Sequence, residues 1–224
     1  MPPSTPISSS SSNVPSTTTR PSKSDYIETD TGNKVSRKCV ISGSQNIILG
    51  GKTLIQPGVI IRGDLRRAGA TGAAVVVSIG KYCVLGEGCI LRPPAKTYKG
   101  IFSYYPMKIG DFVHIGAGSI VEAATIGSGV EIGKNCIIVS VFKPFSEDPL
   151  EVLRRRVFRT QGSMSIIKDN AKILDNSVVG PGTVIPSLTE WGGSPALILD
   201  QLPESTPELT EAKSKSFYAK FQLE

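Results

Sequence analysis

Large aliphatic residues recur along this chain every six positions, a spacing that neither a helix (period 3.6) nor a half-buried strand (period 2) produces. The clearest runs are Ile79-Gly-Lys-Tyr-Cys-Val and Leu85-Gly-Glu-Gly-Cys-Ile. The pattern returns at Ile109-Gly-Asp-Phe-Val-His, Ile115-Gly-Ala-Gly-Ser-Ile, Ile126-Gly-Ser-Gly-Val-Glu and Ile132-Gly-Lys-Asn-Cys-Ile. With Val35, Ile41, Leu49, Ile55, Ile61, Leu91, Val121, Ile138, Ile167, Ile173, Val179 and Ile185, 18 positions fit one grid. The residue four places after each aliphatic is small: Cys39, Thr53, Val59, Cys83, Cys89, Val113, Ser119, Thr125, Val130, Cys136, Ala171, Ser177 and Thr183. Gln45 and Leu65 break that rule.

A six-residue unit with one large and one small apolar position is the signature of a hexapeptide solenoid. Three units close a triangular coil, and coils stack as parallel strands about 4.8 Å apart, so each aliphatic lies over its counterpart one coil away. Small residues fit near the corners, where Gly, Asn or Asp supplies backbone freedom. The predicted fold is an all-β solenoid, a parallel β-helix of hexapeptide repeats with a C-terminal α-helix; left-handed coiling is taken from the class. Residues 1–24, nearly all Ser, Thr and Pro, are expected to be a disordered tail, either phosphorylated or a neutral extension. The solenoid is expected over 25–190, and a linker and helix over 191–224, the helix running from Thr206 to about Phe221. That helix covers the open end of the solenoid or lies along its side. Three inserts interrupt the grid, at 67–74, 93–107 and 139–165; within the third, Asp148-Pro-Leu-Glu-Val-Leu-Arg-Arg-Arg reads as a short capped helix.

Composition narrows the reading. Aromatic residues are 6% of the chain, so Val, Ile and Leu fill the core, while 23 Gly and 16 Pro suit many short strands and tight corners. The net charge of +6 is spread without a basic stripe, so nucleic-acid binding is not expected. No stretch approaches the ~20 apolar residues of a membrane span, and no basic region precedes an apolar run at the N-terminus. A cytoplasmic location without membrane insertion is therefore expected.

All four cysteines, Cys39, Cys83, Cys89 and Cys136, fall in the small-residue slot, which favours reduced, packed thiols over disulfides or metal ligation. Enzymes on this scaffold use histidine as general base or as metal ligand, and the chain has one, His114, at a hexad position whose side chain faces outward. It is read either as a surface residue or as a base at a trimer interface.

Ile61-Arg-Gly-Asp, the hexads at Ile79, Ile109 and Ile126, and the five-residue step Val121–Thr125 resemble the γ-carbonic anhydrase lineage. Laid on that pattern, the three metal ligands fall on Arg92, Ala117 and Glu122, none of them His, so a zinc-activated hydroxide is not expected. Arg62 and Asp64 read as a structural ion pair. Further segments resemble the dynactin subunit 5 family, a non-catalytic branch of that lineage: Ser44-Gln-Asn-Ile, Ile60-Ile-Arg-Gly-Asp-Leu, Leu91-Arg-Pro-Pro, Tyr105-Pro-Met-Lys-Ile-Gly-Asp, Lys172-Ile-Leu-Asp-Asn and Leu202-Pro-Glu-Ser-Thr-Pro-Glu-Leu. The resemblance spans about residues 35–223. It implies a cytoskeleton-associated structural subunit of the dynactin pointed-end complex. Its implied neighbours are dynactin subunit 6, dynactin subunit 4 and a pointed-end actin-related protein, in an assembly through which dynein engages cargo adaptors and vesicles. No cofactor is implied. The alternatives are a hexapeptide-repeat enzyme, either metal hydratase or acyltransferase, and a homotrimer of other role.

Two surfaces are candidates for binding. The Arg92–Tyr105 segment carries Arg92, Lys96, Tyr98, Phe102, Tyr104 and Tyr105, the residue types that dominate interfaces. Either it contacts a neighbouring subunit or its aromatics fold back and seal the coil. The 149–159 insert helix, with Leu150, Leu153 and Val157 on one side, is the second candidate, against a solvated loop.

Overall fold

The computed structural model describes residues 25–66, 75–98, 101–139 and 164–221. The tail and the helix expected at 149–159 lie outside them. The chain forms a left-handed parallel β-helix with three flat faces, along whose first face a C-terminal helix is laid.

The first face holds Lys34–Ser36, Leu54–Ile55, Val84–Leu85, His114–Ile115, Glu131–Ile132, Lys172–Ile173 and Thr189–Gly193. The second holds Val40–Ser42, Ile60–Arg62, Ile90–Leu91, Ile120–Val121, Ile137–Ile138 and Val178–Val179. The third holds Ile47–Leu49, Val77–Ile79, Met107–Ile109, Ala123–Ile126, Ser165–Ile167 and Val184–Ile185. Grid residues pair rung to rung, for example Ile55 with Leu85, Ile115 with Leu85 and Ile132, and Ile61 with Leu91. Of the 18, fifteen are buried in one continuous core, and Val35, Ile41 and Leu49 of the first coil pack partly buried against it. Trp191 adds a rung, pairing with Ile173 six residues after Ile185.

The small slot is corrected at one place. Thr125 is half-exposed; the chain bulges between Ala123 and Thr125 against its neighbour, and Ala123 takes the interior position instead. A step one residue short of six leaves no other way to return Ile126 to its rung. Gln45 and Leu65 break the rule because their corner is longer; Ile47 and Val77 fill those inward places. Cys83, Cys89 and Cys136 are buried, Cys39 half-buried, and all four are free thiols. Burial pushes the Cys83 and Cys89 thiols up to about 12, so both are inert at neutral pH.

Every departure from the six-residue step falls at one corner. From first face to second, and from third to first, successive rungs are always six apart, as in Ile115 to Val121 or Ile109 to Ile115. From second to third they run Ile41 to Leu49, Ile61 to Ile79, Leu91 to Ile109, Val121 to Ile126 and Ile138 to Ile167, and only Val179 to Ile185 is regular. The longer connections therefore leave and rejoin the coil at a single edge of the prism.

Both ends are finished on the first face. Tyr26–Glu28 pairs antiparallel with Lys34–Ser36, and Ala196–Gln201 antiparallel with Thr189–Gly193. The helix, Thr206–Lys220, has Pro207 in its first turn and Lys220 in its last, as the macrodipole favours. It lies along the side and not over the end. Lys213 reaches Glu131, Phe217 meets His114, and Phe221 meets Tyr26 at the far end of the same face.

Candidate functional site

Two places gather the candidate residues: the edge where the inserts emerge, and the cleft beneath the helix.

At the edge, Arg92 follows the strand Ile90–Leu91 and Glu122 follows Ile120–Val121, one coil apart on paired strands. Their side chains meet as an ion pair, Arg92 Nε lying 3.1 Å from Glu122 Oε1, with the carboxylate side chain only 9% exposed. These are two of the three positions at which the γ-carbonic anhydrase pattern would place zinc ligands. A guanidinium bonded to the carboxylate does not fit a cation, and Ala117 offers no donor. Among the described residues no group of three or more His, Cys, Asp or Glu side chains is arranged to hold a metal ion. One coil earlier, Arg62 grips Asp64 with two hydrogen bonds of 2.7 Å, holding that carboxyl below the usual range. Both of these partners are exposed, so the pair adds little stability.

The Arg92–Tyr105 segment is a β-hairpin, not an irregular loop. Ala95–Tyr98 pairs antiparallel with Ile101–Tyr104, in register Ala95 to Tyr104 and Thr97 to Phe102. Pro93, Pro94 and Ala95 are buried at its root, and Tyr105 N–H donates to Pro94 O at 2.8 Å. Lys96, Tyr104 and Tyr105 are half-buried, and Phe102 is exposed with its ring edge-on to Tyr104 at 5.2 Å. The side chain of Tyr98 lies outside the described residues. Near the tip, Ile101 is 65% exposed, an aliphatic outside the aromatic and basic set of this segment. The root seals the coil, and Ile101 and Phe102 face outward.

His114 projects from the first face but is not a plain surface residue. Its ring stands edge-on to Phe217 of the helix at 6.0 Å, beside the Lys213–Glu131 ion pair of 2.6 Å. A cleft of about 300 Å³ runs under the helix here, lined among others by Gln56, Val84, His114, Glu131, Lys134 and Phe217. Burial lowers the His114 pKa; Glu131 opposes that shift and Lys213 adds to it. The helix closes over the only imidazole of the chain, and no signal in the hexad pattern could have revealed it.

The dynactin subunit 5 family model matches residues 19–158 and 157–223, nearly the whole chain. The chain belongs to the dynactin subunit 5 family. One relative, dynactin subunit 5 of Dictyostelium discoideum, is 46% identical over 106 residues, which are 47% of this chain and 49% of that protein. The match thus spans about half the length of that relative. Among solved structures, a perosamine N-acetyltransferase from Caulobacter crescentus is similar with a TM-score of 0.50 and 16% identity, covering 75% of this chain and 57% of that one. A hexapeptide transferase family protein from Anaplasma phagocytophilum, at 17% identity, covers 84% and 92% with a TM-score of 0.43. At such identities the acetyltransferase likeness is one of fold.

Proposed function

We propose that this chain is a non-catalytic structural subunit of dynactin, seated in its pointed-end complex beside dynactin subunit 6, dynactin subunit 4 and the pointed-end actin-related protein. There it supports the engagement of dynein with cargo adaptors and vesicles. The family match along almost the entire chain carries the reading. Two features of the molecule support its non-catalytic side. An ion pair stands where the lineage would place its metal, and the lone imidazole is packed against Phe217. The hairpin carrying Lys96, Tyr98, Phe102, Tyr104 and Tyr105, with Arg92 at its root, is the proposed contact with a neighbouring subunit. Its exposed Ile101 and Phe102 sit on a short sheet held by a buried root, which limits the entropy lost on binding.

Affinity purification of the tagged full chain from cells tests the reading. The named subunits are expected in near-equal amounts, and triple replacement of Tyr98, Phe102 and Tyr104 by Ala should cut their recovery at least tenfold with the melting temperature unchanged. Recovery of the chain without other dynactin subunits would overturn the placement; undiminished recovery of the triple variant would move the contact elsewhere.

A further inference from the structure

The two ends of the prism are finished differently. At the first end the added strand, Tyr26–Glu28, has three residues, and the helix covers it. Phe221 stands edge-on to the buried Tyr26 at 5.2 Å, and Lys34 Nζ donates to the Phe221 carbonyl. At the other end Ala196–Gln201 has six residues, the longest of the described strands, and is the last of its nine-stranded sheet. The second and third faces stop at Val178–Val179 and Val184–Ile185, so the first face stands two strands beyond them. On that overhang Leu197, Ile198 and Leu199 are 64%, 52% and 58% exposed, the one run of three exposed large aliphatics among the described residues. Natural edge strands are blunted by shortness, by Lys or Pro, by bulges or by a cover. Here the register shift at Leu199, and Asp200, whose carboxylate accepts the Gln201 N–H at 2.7 Å, blunt the far end alone. The rest is long for this fold, has neither Lys nor Pro, and has no strand beyond it among the described residues.

Charge is distributed just as unevenly. From Ile173 to Ala212 the chain has six acids, Asp175, Glu190, Asp200, Glu204, Glu208 and Glu211, and no Lys, Arg or His, although its net charge is +6. Three of them are engaged. Asp175 accepts the Lys134 N–H, and Glu190 and Glu211 pair with Lys172 and Lys215. Asp200, Glu204 and Glu208 are exposed and have no cation beside them among the described residues. The helix dipole accounts for Glu208 alone, which lies in the first turn. The bare apolar strand thus lies at the acidic end of a chain of opposite net charge.

We propose that Ala196–Gln201 is a docking edge for an extended segment of another subunit, aliphatic where it pairs with the strand and rich in Lys or Arg where it passes Asp200 and Glu204. The proposal rests on the reading above in one respect, that the segment belongs to a fellow subunit. An open row of main-chain groups is read by an extended backbone, because a helix has already bonded its own. Both sides of the strand are apolar. Ile198 pairs with Trp191 on the core side, whereas Leu197 pairs with Gly192 on the outer side, where the Leu199 side chain also lies. An added strand alternates sides with the same period and meets both.

A second copy of the chain is disfavoured twice. Two such ends would set six acids against six. A six-residue strand spans about 20 Å, and one added strand at about 4.8 Å covers on the order of a few hundred Å² per partner, short of the roughly 800 Å² of a stable interface. A segment of a chain held elsewhere in the same assembly needs no such area, because tethering raises its effective concentration.

The full chain with benzoylphenylalanine at position 197 is irradiated alone and in the affinity-purified assembly, and backbone hydrogen exchange at 196–199 is followed in both. Exchange is expected to slow at least tenfold in the assembly, with position 197 crosslinked to a Lys- or Arg-rich extended segment of another subunit. Asp200→Lys combined with Glu204→Lys is expected to cut that crosslink at least tenfold with the melting temperature unchanged. An undiminished crosslink in this variant would overturn the proposal, as would crosslinks to a helix, to an acidic segment or to a second copy. Slow exchange already in the isolated chain would overturn it too, and would point to residues 140–163, which carry four arginines. Unchanged exchange in an assembly that contains the dynactin subunits would overturn it and leave the functional reading standing. Protection by a basic segment in an assembly without them would do the reverse, and a chain that assembles with nothing would end both.

Discussion

Glycine at the corners serves two separate ends. Gly88 has φ +66° with open space around its missing side chain, so its role is conformational, and Asn135 and Asn176 hold the equivalent left-handed corner positions in later coils. Gly116 has no such φ. A Cβ there would come within 2.4–2.6 Å of the backbone of Gly133 and Lys134 in the next coil. Gly80 and Gly127 likewise face Asp111 and Asp169, whose carboxylates each accept a backbone N–H of the adjoining coil at 2.7 Å. Gly88→Asn is therefore expected to be near neutral, while Gly116→Ala should cost ~1–3 kcal/mol or more through forced separation of coils. Thermal unfolding followed by circular dichroism distinguishes them; equal melting points would mean that the corners relax freely. The hexad spacing revealed that glycines are needed but not which need, because backbone approach between coils is a relation across 17 to 41 residues, as from Ser128 to Asp111 or to Asp169. For the same reason the pattern placed Thr125 inside: counting along the chain cannot see a bulge set by a neighbouring strand.

The C-terminal helix is an element whose position depends on few contacts. Its sequence has no apolar stripe to seat it, and only Ser214 of its residues is buried. Aromatics and ion pairs fix it instead, so its existence was legible from Thr206-Pro-Glu and its face was not. One consequence is a pH dependence centred on His114, which faces Phe217 and Lys213 of the helix and Glu131 of its own sheet, with Lys134 and Asp175 also lining the cleft. Its pKa is lowered in the folded chain, chiefly by burial. As the pH falls through about 6.5 the unfolded chain takes up this proton first, so stability drops until the pH passes the folded value; above neutrality His114 contributes no slope. Unfolding midpoints from pH 8 to pH 5 should decline more steeply for the natural chain than for His114→Gln, with carboxylate contributions common to both. A matching slope in the variant would show that protonated His114 is accommodated without loss.

At the scale of the whole molecule, the asymmetry of the three corners is the property that lets one chain carry both a rigid prism and its inserts. Strand pairing survives at the second-to-third corner although the connections there differ from coil to coil, because Leu49, Ile79, Ile109, Ile126, Ile167 and Ile185 still stack in one sheet. The first-to-second corner has no such slack: Asn176 N–H donates to Lys134 O at 2.8 Å, and Asp175 accepts the Lys134 N–H at 2.7 Å, so that corner is bonded coil to coil. The last coil allows a matched test, since both of its corners have the regular step. A Gly-Ser dipeptide inserted between Pro181 and Gly182 only lengthens a turn, and lengthening a loop costs a fraction of a kcal/mol, plus the bond from Thr183 Oγ1 to Gly180 O. The same dipeptide between Asp175 and Asn176 removes two bonds to the coil below, one of them to a carboxylate, and should cost about 2–4 kcal/mol. Denaturant midpoints of the two insertion variants should differ accordingly, the first within about 1.5 kcal/mol of the natural chain. If the two were destabilised alike, the edge that carries the hairpin would owe its inserts to history and not to the mechanics of the coil.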